Sequence, residues 1–358
     1  MAGSRMKSWF PTTASPLVVS APMKGVANIK LAAEVTKAGG LGFIQSGRDF
    51  DPDSPTLKEL DDQLSQAWQL LGLEASKNEN TTLPIGVGVL TYMPSARHFG
   101  ETVVPILRRH RPAAVWLFAP SPETPETHSN IVKEIKSRGS PWNPKIIVQV
   151  GTVAAAREAA AYGADIIIAQ GVDAGGHQWA QGAGIVSIVP EVADVVRNEF
   201  PDREIAVWAA GGIGDGRGVA AALALGAEGA VLGTRYIVAL ESGAQDYKKK
   251  AIIATSDGGS NTVKSQLHDH VDGEMTWPEI YDGRAIVTPT YRDHVAGVPL
   301  EENQKRLSAA KKSGDVSRLV TWSGTGVGLI KKEQPAGEIT KEVREQALKT
   351  IADLKSLL

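Results

Sequence analysis

The run Ile205-Ala206-Val207-Trp208-Ala209-Ala210 is short and wholly apolar, and Gly211-Gly212-Ile213-Gly214-Asp215-Gly216 follows it directly. An uninterrupted apolar run suits a strand buried on both faces of a parallel sheet. The glycines let the chain turn tightly into the helical pattern at 215–225. The same unit recurs at once, with residues 229–232 reading as a strand and Leu232-Gly233-Thr234-Arg235 as its closing loop. Runs of this kind precede it at 17–20, 41–45, 84–89, 114–118, 145–150 and 165–170. Helical patterns lie between them at 28–38, 56–73, 95–109, 125–138, 152–162 and 186–199. Gly39-Gly40 and Gly163 stand just past helical patterns, where a left-handed C-cap belongs. Eight strands in βα alternation predict an α/β fold, a single (β/α)8 TIM barrel. Strand count alone leaves a doubly wound open sheet as the alternative.

By Arg235 the eight units are used up. The expected organisation is a barrel core over 1–238, an inserted cap over 239–321, and a glycine-rich return with a C-terminal helix over 322–358. Residues 242–256 read as a helix carrying Lys248-Lys249-Lys250, most simply a solvated face. Residues 257–298 read as irregular and polar, a lid over the active-site face. Helices are expected again at 300–312 and 339–358, with Val343, Ala347, Ile351 and Leu354 sharing one apolar face.

Composition narrows the chemistry. The 358 residues hold 38 Lys+Arg against 40 Asp+Glu, and a net charge of −2 gives no basic field for nucleic acid. Zero cysteines exclude disulfides, thiolate zinc sites, Fe–S clusters and any thiol nucleophile, a cysteine-dependent dehydrogenase of the inosine-monophosphate type included. No apolar stretch is long enough for a transmembrane helix, and residues 1–16 lack a signal-peptide core. A cytoplasmic, soluble protein is the expectation.

In a barrel, ligands sit at the C-terminal strand ends, and phosphate commonly binds in the loops after strands seven and eight. Both of those loops are glycine-rich here, so backbone N–H groups can approach an anion, and the first opens a helix N-terminus. One such loop is most simply a turn; two at adjacent positions point to a phosphate-bearing ligand. The loop after strand six, 171–184, carries five glycines in fourteen residues around His177. A histidine there suits removal of a carbon-bound proton, against the plainer reading of a loop-fixing or stacking residue. His268-Asp269-His270-Val271-Asp272 has metal-ligand residue types without a recognisable spacing; a solvated loop is the simpler reading, and no metal site is expected. Residues 322–328 either return to the active-site mouth or merely turn the chain, and the remaining tryptophans read as core.

Several motifs stand in one order: Ser20-Ala21-Pro22-Met23, Val148-Gln149-Val150-Gly151, Ala174-Gly175-Gly176-His177, Ala209-Ala210-Gly211-Gly212-Ile213, Leu232-Gly233-Thr234-Arg235 and the 322–328 stretch. Together the chain resembles the FMN-dependent nitronate monooxygenases (2-nitropropane dioxygenases) of fungal type over nearly its whole length. The resemblance implies a TIM barrel with non-covalent FMN. Ala21, Pro22 and Met23 would lie against the isoalloxazine ring, and Gln149 would contact the ring or ribityl chain. Gly175 and Gly176 would line the flavin beside His177. Gly211, Gly212, Gly233 and Thr234 would hold the phosphate, with Ala210 also at the cofactor. Ser323 and Gly324 would sit near the flavin. His177 falls on the family's catalytic histidine, which removes the α-proton of a neutral nitroalkane.

The implied reaction is oxidative denitrification with O2, giving a carbonyl compound and nitrite. The implied partners are a small nitro or nitronate substrate and O2, with neither nucleic acid nor membrane, and a homodimer is allowed for. One departure is that Gln178-Trp179 follow His177 where the family commonly has a small residue. They add an indole and an amide near the expected mouth, which leaves detoxification and a biosynthetic role equally open. Two other readings share the barrel: an FMN-dependent NAD(P)H reductase of a quinone or enoyl thioester, and a non-redox phosphate-ligand barrel.

Overall fold

The computed structural model describes residues 2–78, 80–137 and 142–357, so Met1, Glu79, residues 138–141 and Leu358 of the expected ranges lie outside the described residues. Strands β1 (Leu17–Ser20), β2 (Phe43–Gln45), β3 (Leu83–Leu90), β4 (Pro112–Phe118), β5 (Lys145–Val150) and β6 (Ile166–Gln170) come first. A short strand β7 (Gly176–Trp179) lies outside the barrel, and β8 (Ala206–Ala210) and β9 (Gly229–Leu232) complete it. The eight barrel strands are parallel, in the order β1-β9-β8-β6-β5-β4-β3-β2. The two edges meet through a parallel bridge from Val19 to Leu41, with the Ser20 N–H donating to Leu41 O at 3.1 Å. That bridge closes the sheet, so the architecture is the TIM barrel and not the open alternative.

Alternation along each strand divides two cores. In β8, Ala206, Trp208 and Ala210 face the interior with Val19, Phe43, Trp116 and Ile168. Val207 and Ala209 face outward, into the layer of Ile188, Val192 and Val219 on the surrounding helices. Gly229 makes room for an interior tryptophan, since a Cβ there would lie 3.0 Å from the Trp208 indole. The N-terminal helix Ala2–Trp9 closes the bottom: Met6 and Phe10 enter the interior core, and Arg5 pairs with Glu228 just before β9.

The ring of helices is completed out of turn. After β9 the chain makes only the short helix Thr234–Ile237, and the long helix Ala336–Lys355 then packs on Gly216–Ala224 and Ile29–Lys37. The intervening segment is therefore inserted between the eighth strand and its helix. Its residues 257–298 are not irregular as the polar sequence suggested. Strands β10 (Thr262–Ser265) and β11 (Tyr281–Ile286) pair antiparallel, and β11 pairs with β7. The expected single apolar face of the last helix is half right. Val343 and Ala347 are buried, whereas Ile351 and Leu354 are exposed because the helix outruns the elements it packs on.

This packing is testable. A Cβ at Gly216 would fall inside contact with Ala347 and Gln346 of the last helix. In urea unfolding, Gly216→Val should cost about 1–3 kcal/mol through overpacking. Ile351→Lys should change stability by less than about 0.5 kcal/mol, as an exposed substitution does.

Candidate active site

A cavity of about 550 Å³ opens at the C-terminal strand ends, a size typical of small-molecule and cofactor sites. Ala21, Pro22 and Met23 reach it from the end of β1, and Gln149 from β5. Gly175, Gly176 and His177 line it from the connection after β6. Ala210, Gly211 and Gly212 line it after β8, and Gly233 and Thr234 after β9. Gly324 reaches it from the late return, while Ser323, though expected there, lies fully buried behind Gly175. The 322–328 stretch thus does return to the mouth, tied there by the Gly324 N–H donating to Thr234 Oγ1 at 3.0 Å.

The glycines have specific local causes. Gly211 and Gly212 adopt φ of 106° and 73°, conformations that L side chains rarely take. Among the described residues, no protein acceptor takes the backbone N–H of Gly212 or of Gly233. A Cβ at Gly233 would meet only Met23 Sδ at 3.7 Å and Ala21 Cβ at 3.9 Å, so bare main chain faces the cavity. The helix N-terminus after β8 is a different matter. Asp215 caps it, accepting from the N–H groups of Arg217 and Gly218 at 3.0 and 3.3 Å. A carboxylate already occupies that end, so any anion in the cavity falls to the loops.

Buried polar atoms also face the ligand space. Trp116 Nε1 donates to Gln149 Oε1 at 3.1 Å, which leaves the Gln149 amide nitrogen free to donate. Gln170 Oε1 and His268 Nε2 are buried on the cavity wall without a hydrogen-bond partner among the described residues. Unpaired buried groups are rare in folded proteins and mark where a bound group would complete them.

His177 lies on β7, opposite Gly283 of β11. Its Nε2 is 3.0 Å from both carboxylate oxygens of Asp269. Trp277 stacks on the imidazole with ring centroids 3.8 Å apart and planes 6° apart, and Trp322 flanks it at 4.9 Å. Trp277 also packs on Tyr92, which with Glu274 bonds Arg48 at the rim.

Four readings of the sequence change here. Residues 268–272 are no solvated loop: helix Leu267–Asp272 buries His268 and Asp269 against the cavity. Lys248–Lys250 is no uniform solvated face, because Lys249 is buried with Nζ donating to Ala239 O at 2.8 Å and Lys248 lines the cavity. Gln178 and Trp179 do not crowd the mouth. The Gln178 amide donates to Ala174 O at 2.6 Å, and Trp179 packs between Phe118 and Tyr281 and against Gly151. Lastly, Trp277 is a cavity wall and not core. Asp269 and Trp277 escaped sequence reasoning, since both meet His177 only across the fold. The one local signal was His268-Asp269 standing together in a segment too short of apolar residues to make a core.

A family model described as nitronate monooxygenase matches residues 142–346. A nitronate monooxygenase of Neurospora crassa is 50% identical, over 99% of this chain and 94% of its own. One from Metarhizium robertsii is 38% identical, over 94% of this chain and 92% of its own. Among solved structures, nitroalkane oxidase from Streptomyces ansochromogenes superposes with a TM-score of 0.72, covering 98% of this chain and 99% of that one. Its identity is 24%, so it speaks for the fold alone. Among the described residues, no helix is long and apolar enough to cross a membrane.

Burial pushes the His268 imidazole down from 6.5 to about 4, and that of His128 to about 3. Each binds a proton more readily once unfolded, so the stability carried by the neutral forms is full above about pH 6.5 and is lost as pH falls through the folded values. The thermal midpoint should drop on acidification across that window, and His268→Phe should make the drop shallower. An unchanged slope in the variant would contradict a buried neutral His268.

Proposed function

The chain belongs to the nitronate monooxygenase family of flavin-dependent enzymes, and from that premise we propose FMN as its flavin and His177 as the base that opens catalysis on neutral nitroalkanes. Oxidative metabolism of nitronates and nitroalkanes follows from membership. The finer reading is denitrification with O2, giving a carbonyl compound and nitrite. The observation that carries it is His177 on the cavity wall, beside bare glycine backbone, with Nδ1 bonded to no protein group among the described residues.

The cavity fits a flavin mononucleotide. The unpaired N–H groups of Gly212 and Gly233 suit a phosphate, with Gly211 and Thr234 beside them. Ala210 extends that side, and Ala21, Pro22 and Met23 offer an apolar wall to a flat ring. The Gln149 amide and Gly175-Gly176 would meet its polar edge, with Gly324 lining the site and Ser323 supporting it from behind. When bound, FMN supplies the redox chemistry that a chain without cysteine cannot.

The protein's part is proton removal and exclusion of water. His177 takes the α-proton of the nitroalkane, and the electron pair left behind makes the nitronate. Trp277 and Trp322 wall the imidazole from solvent and leave room for a small or modest apolar substrate. Residues 239–321 act as the cap between the barrel core, 1–238, and the return, 322–358.

Purified protein should release FMN on denaturation, identified by mass, and should yield nitrite from nitronates and nitroalkanes under air. His177→Asn should lower turnover of neutral nitroalkane by about 10²–10⁴-fold, the usual worth of a general base. Turnover of preformed nitronate should be partly kept, because that substrate has already lost its proton. Equal loss on both would argue against the base. Flavin bleached by NAD(P)H alone, with no nitrite from either substrate, would point to a reductase instead.

A further inference from the structure

We infer that Asp269 is the positioning residue for proton removal: it fixes His177 in the tautomer that leaves Nδ1 as the proton acceptor, and it steadies the imidazolium that results. The inference rests on His177 being the base. Both carboxylate oxygens of Asp269 lie 3.0 Å from Nε2. A carboxylate has only lone pairs to offer, so the proton of the neutral ring belongs on Nε2 and the lone pair on Nδ1. Among the described residues nothing bonds Nδ1, and His177 faces the cavity.

The surroundings hold that arrangement in place. Trp277 stacks on one face of the imidazole and Trp322 flanks it, so the ring cannot tumble. A flipped ring would set a carbon against a buried carboxylate, leaving that charge without its donor, which is costly. The Asp269 side chain is only 7% exposed, and His177 is the donor found to it among the described residues. Its backbone is anchored as well, since Asp269 O accepts from the Glu274 N–H at 2.9 Å and from Gly273 at the helix end. Asp269 comes from the segment inserted between the eighth strand and its helix, 92 residues from His177. That segment therefore adds a working part to the proton-transfer machinery as well as cover.

In the step itself the substrate Cα–H bond breaks and its electron pair becomes the C=N bond of the nitronate. The proton passes to Nδ1. The imidazolium then carries an N–H at each nitrogen, with Nε2–H held by the negative Asp269, so charge is balanced locally and no redox change occurs. A carboxylate that orients a histidine in this way leaves preformed nitronate nothing to gain.

The test uses flavin-loaded enzyme with nitroethane and ethyl nitronate as the paired probes. Asp269→Asn should lower kcat for nitroethane by about 10²-fold while KM and the turnover of ethyl nitronate stay within about threefold, with flavin content unchanged. In the His177→Asn background, Asp269→Asn should add no further loss, because the two act as a unit. Asp269→Glu, which keeps the charge one methylene further out, should recover about tenfold over Asn.

Full nitroethane turnover in Asp269→Asn, with His177→Asn inactive, would overturn the inference and spare the base. Nitroethane turnover surviving in His177→Asn would remove the base reading itself. Parallel loss on both substrates would make Asp269 merely structural. Should the Asn variant fail to fold, ¹⁵N shifts of labelled His177 in the wild-type holoenzyme decide the matter: an Nε2–H tautomer supports the inference, and Nδ1–H overturns it.

Discussion

Three loops at the top of this barrel pack main chain against main chain, and the site exists because they can. A Cβ at Gly175 would fall inside contact with Ser323 and Gly324, and one at Gly324 would lie 3.0 Å from the Gly175 nitrogen. Gly211 is seated on Gly171 O, where a Cβ would come to 2.6 Å, and Gly326 on Gly212 O at 2.5 Å. Distances of that kind exclude every side chain, so glycine is imposed by contact as much as by φ. The seam is bonded as well: the Thr325 N–H donates to Asp173 O at 3.0 Å, and Thr325 Oγ1 to Asp173 Oδ1 at 2.9 Å. Through it the histidine, the glycine loops after β8 and β9 and Trp322 are held in one frame.

The barrel was legible because each of its strands is buried on both faces and so reads as an apolar run whatever its partners. The glycine loops were legible for a related reason, since a residue with no side chain announces close approach without saying to what. What stayed hidden is the partner in each case. Asp269, on helix Leu267–Asp272, and Trp277, just before β11, touch His177 on β7, a strand of only Gly176-His177-Gln178-Trp179 that carries no strand pattern of its own. Lys249 sits in a run of three lysines, and nothing local says that the middle one is buried with Ala239 O as its acceptor. The last helix shows the same limit from the other side. Helical spacing correctly put Ile351 and Leu354 on the face of Val343, but spacing cannot say where the surface beneath that face stops.

Gln178 and Trp179 show how position in a motif can mislead. They follow His177 immediately, and adjacency in sequence suggested a narrowed mouth. In a strand, neighbours point to opposite sides, so Gln178 turns away from His177 and back onto Ala174; Trp179 shares the side of His177, but its indole is taken up between Phe118 and Tyr281 and over Gly151. The aromatic wall at the histidine comes instead from Trp277 and Trp322, residues about a hundred or more positions further on, which the strand period of β7 could not place.

Because the eighth helix follows an inserted segment, the ring of helices is sealed by Ala336–Lys355 lying on Gly216–Ala224 and on Ile29–Lys37. Its contacts therefore join the last part of the chain to one of the first. During synthesis the apolar faces of both earlier helices must wait, uncovered on that side, until residues 336–355 have left the ribosome. Contacts of such long sequence separation form late, since loop-closure entropy opposes them. The insertion that brings Asp269 to His177 thus also lengthens the interval in which a nascent chain relies on protection from aggregation.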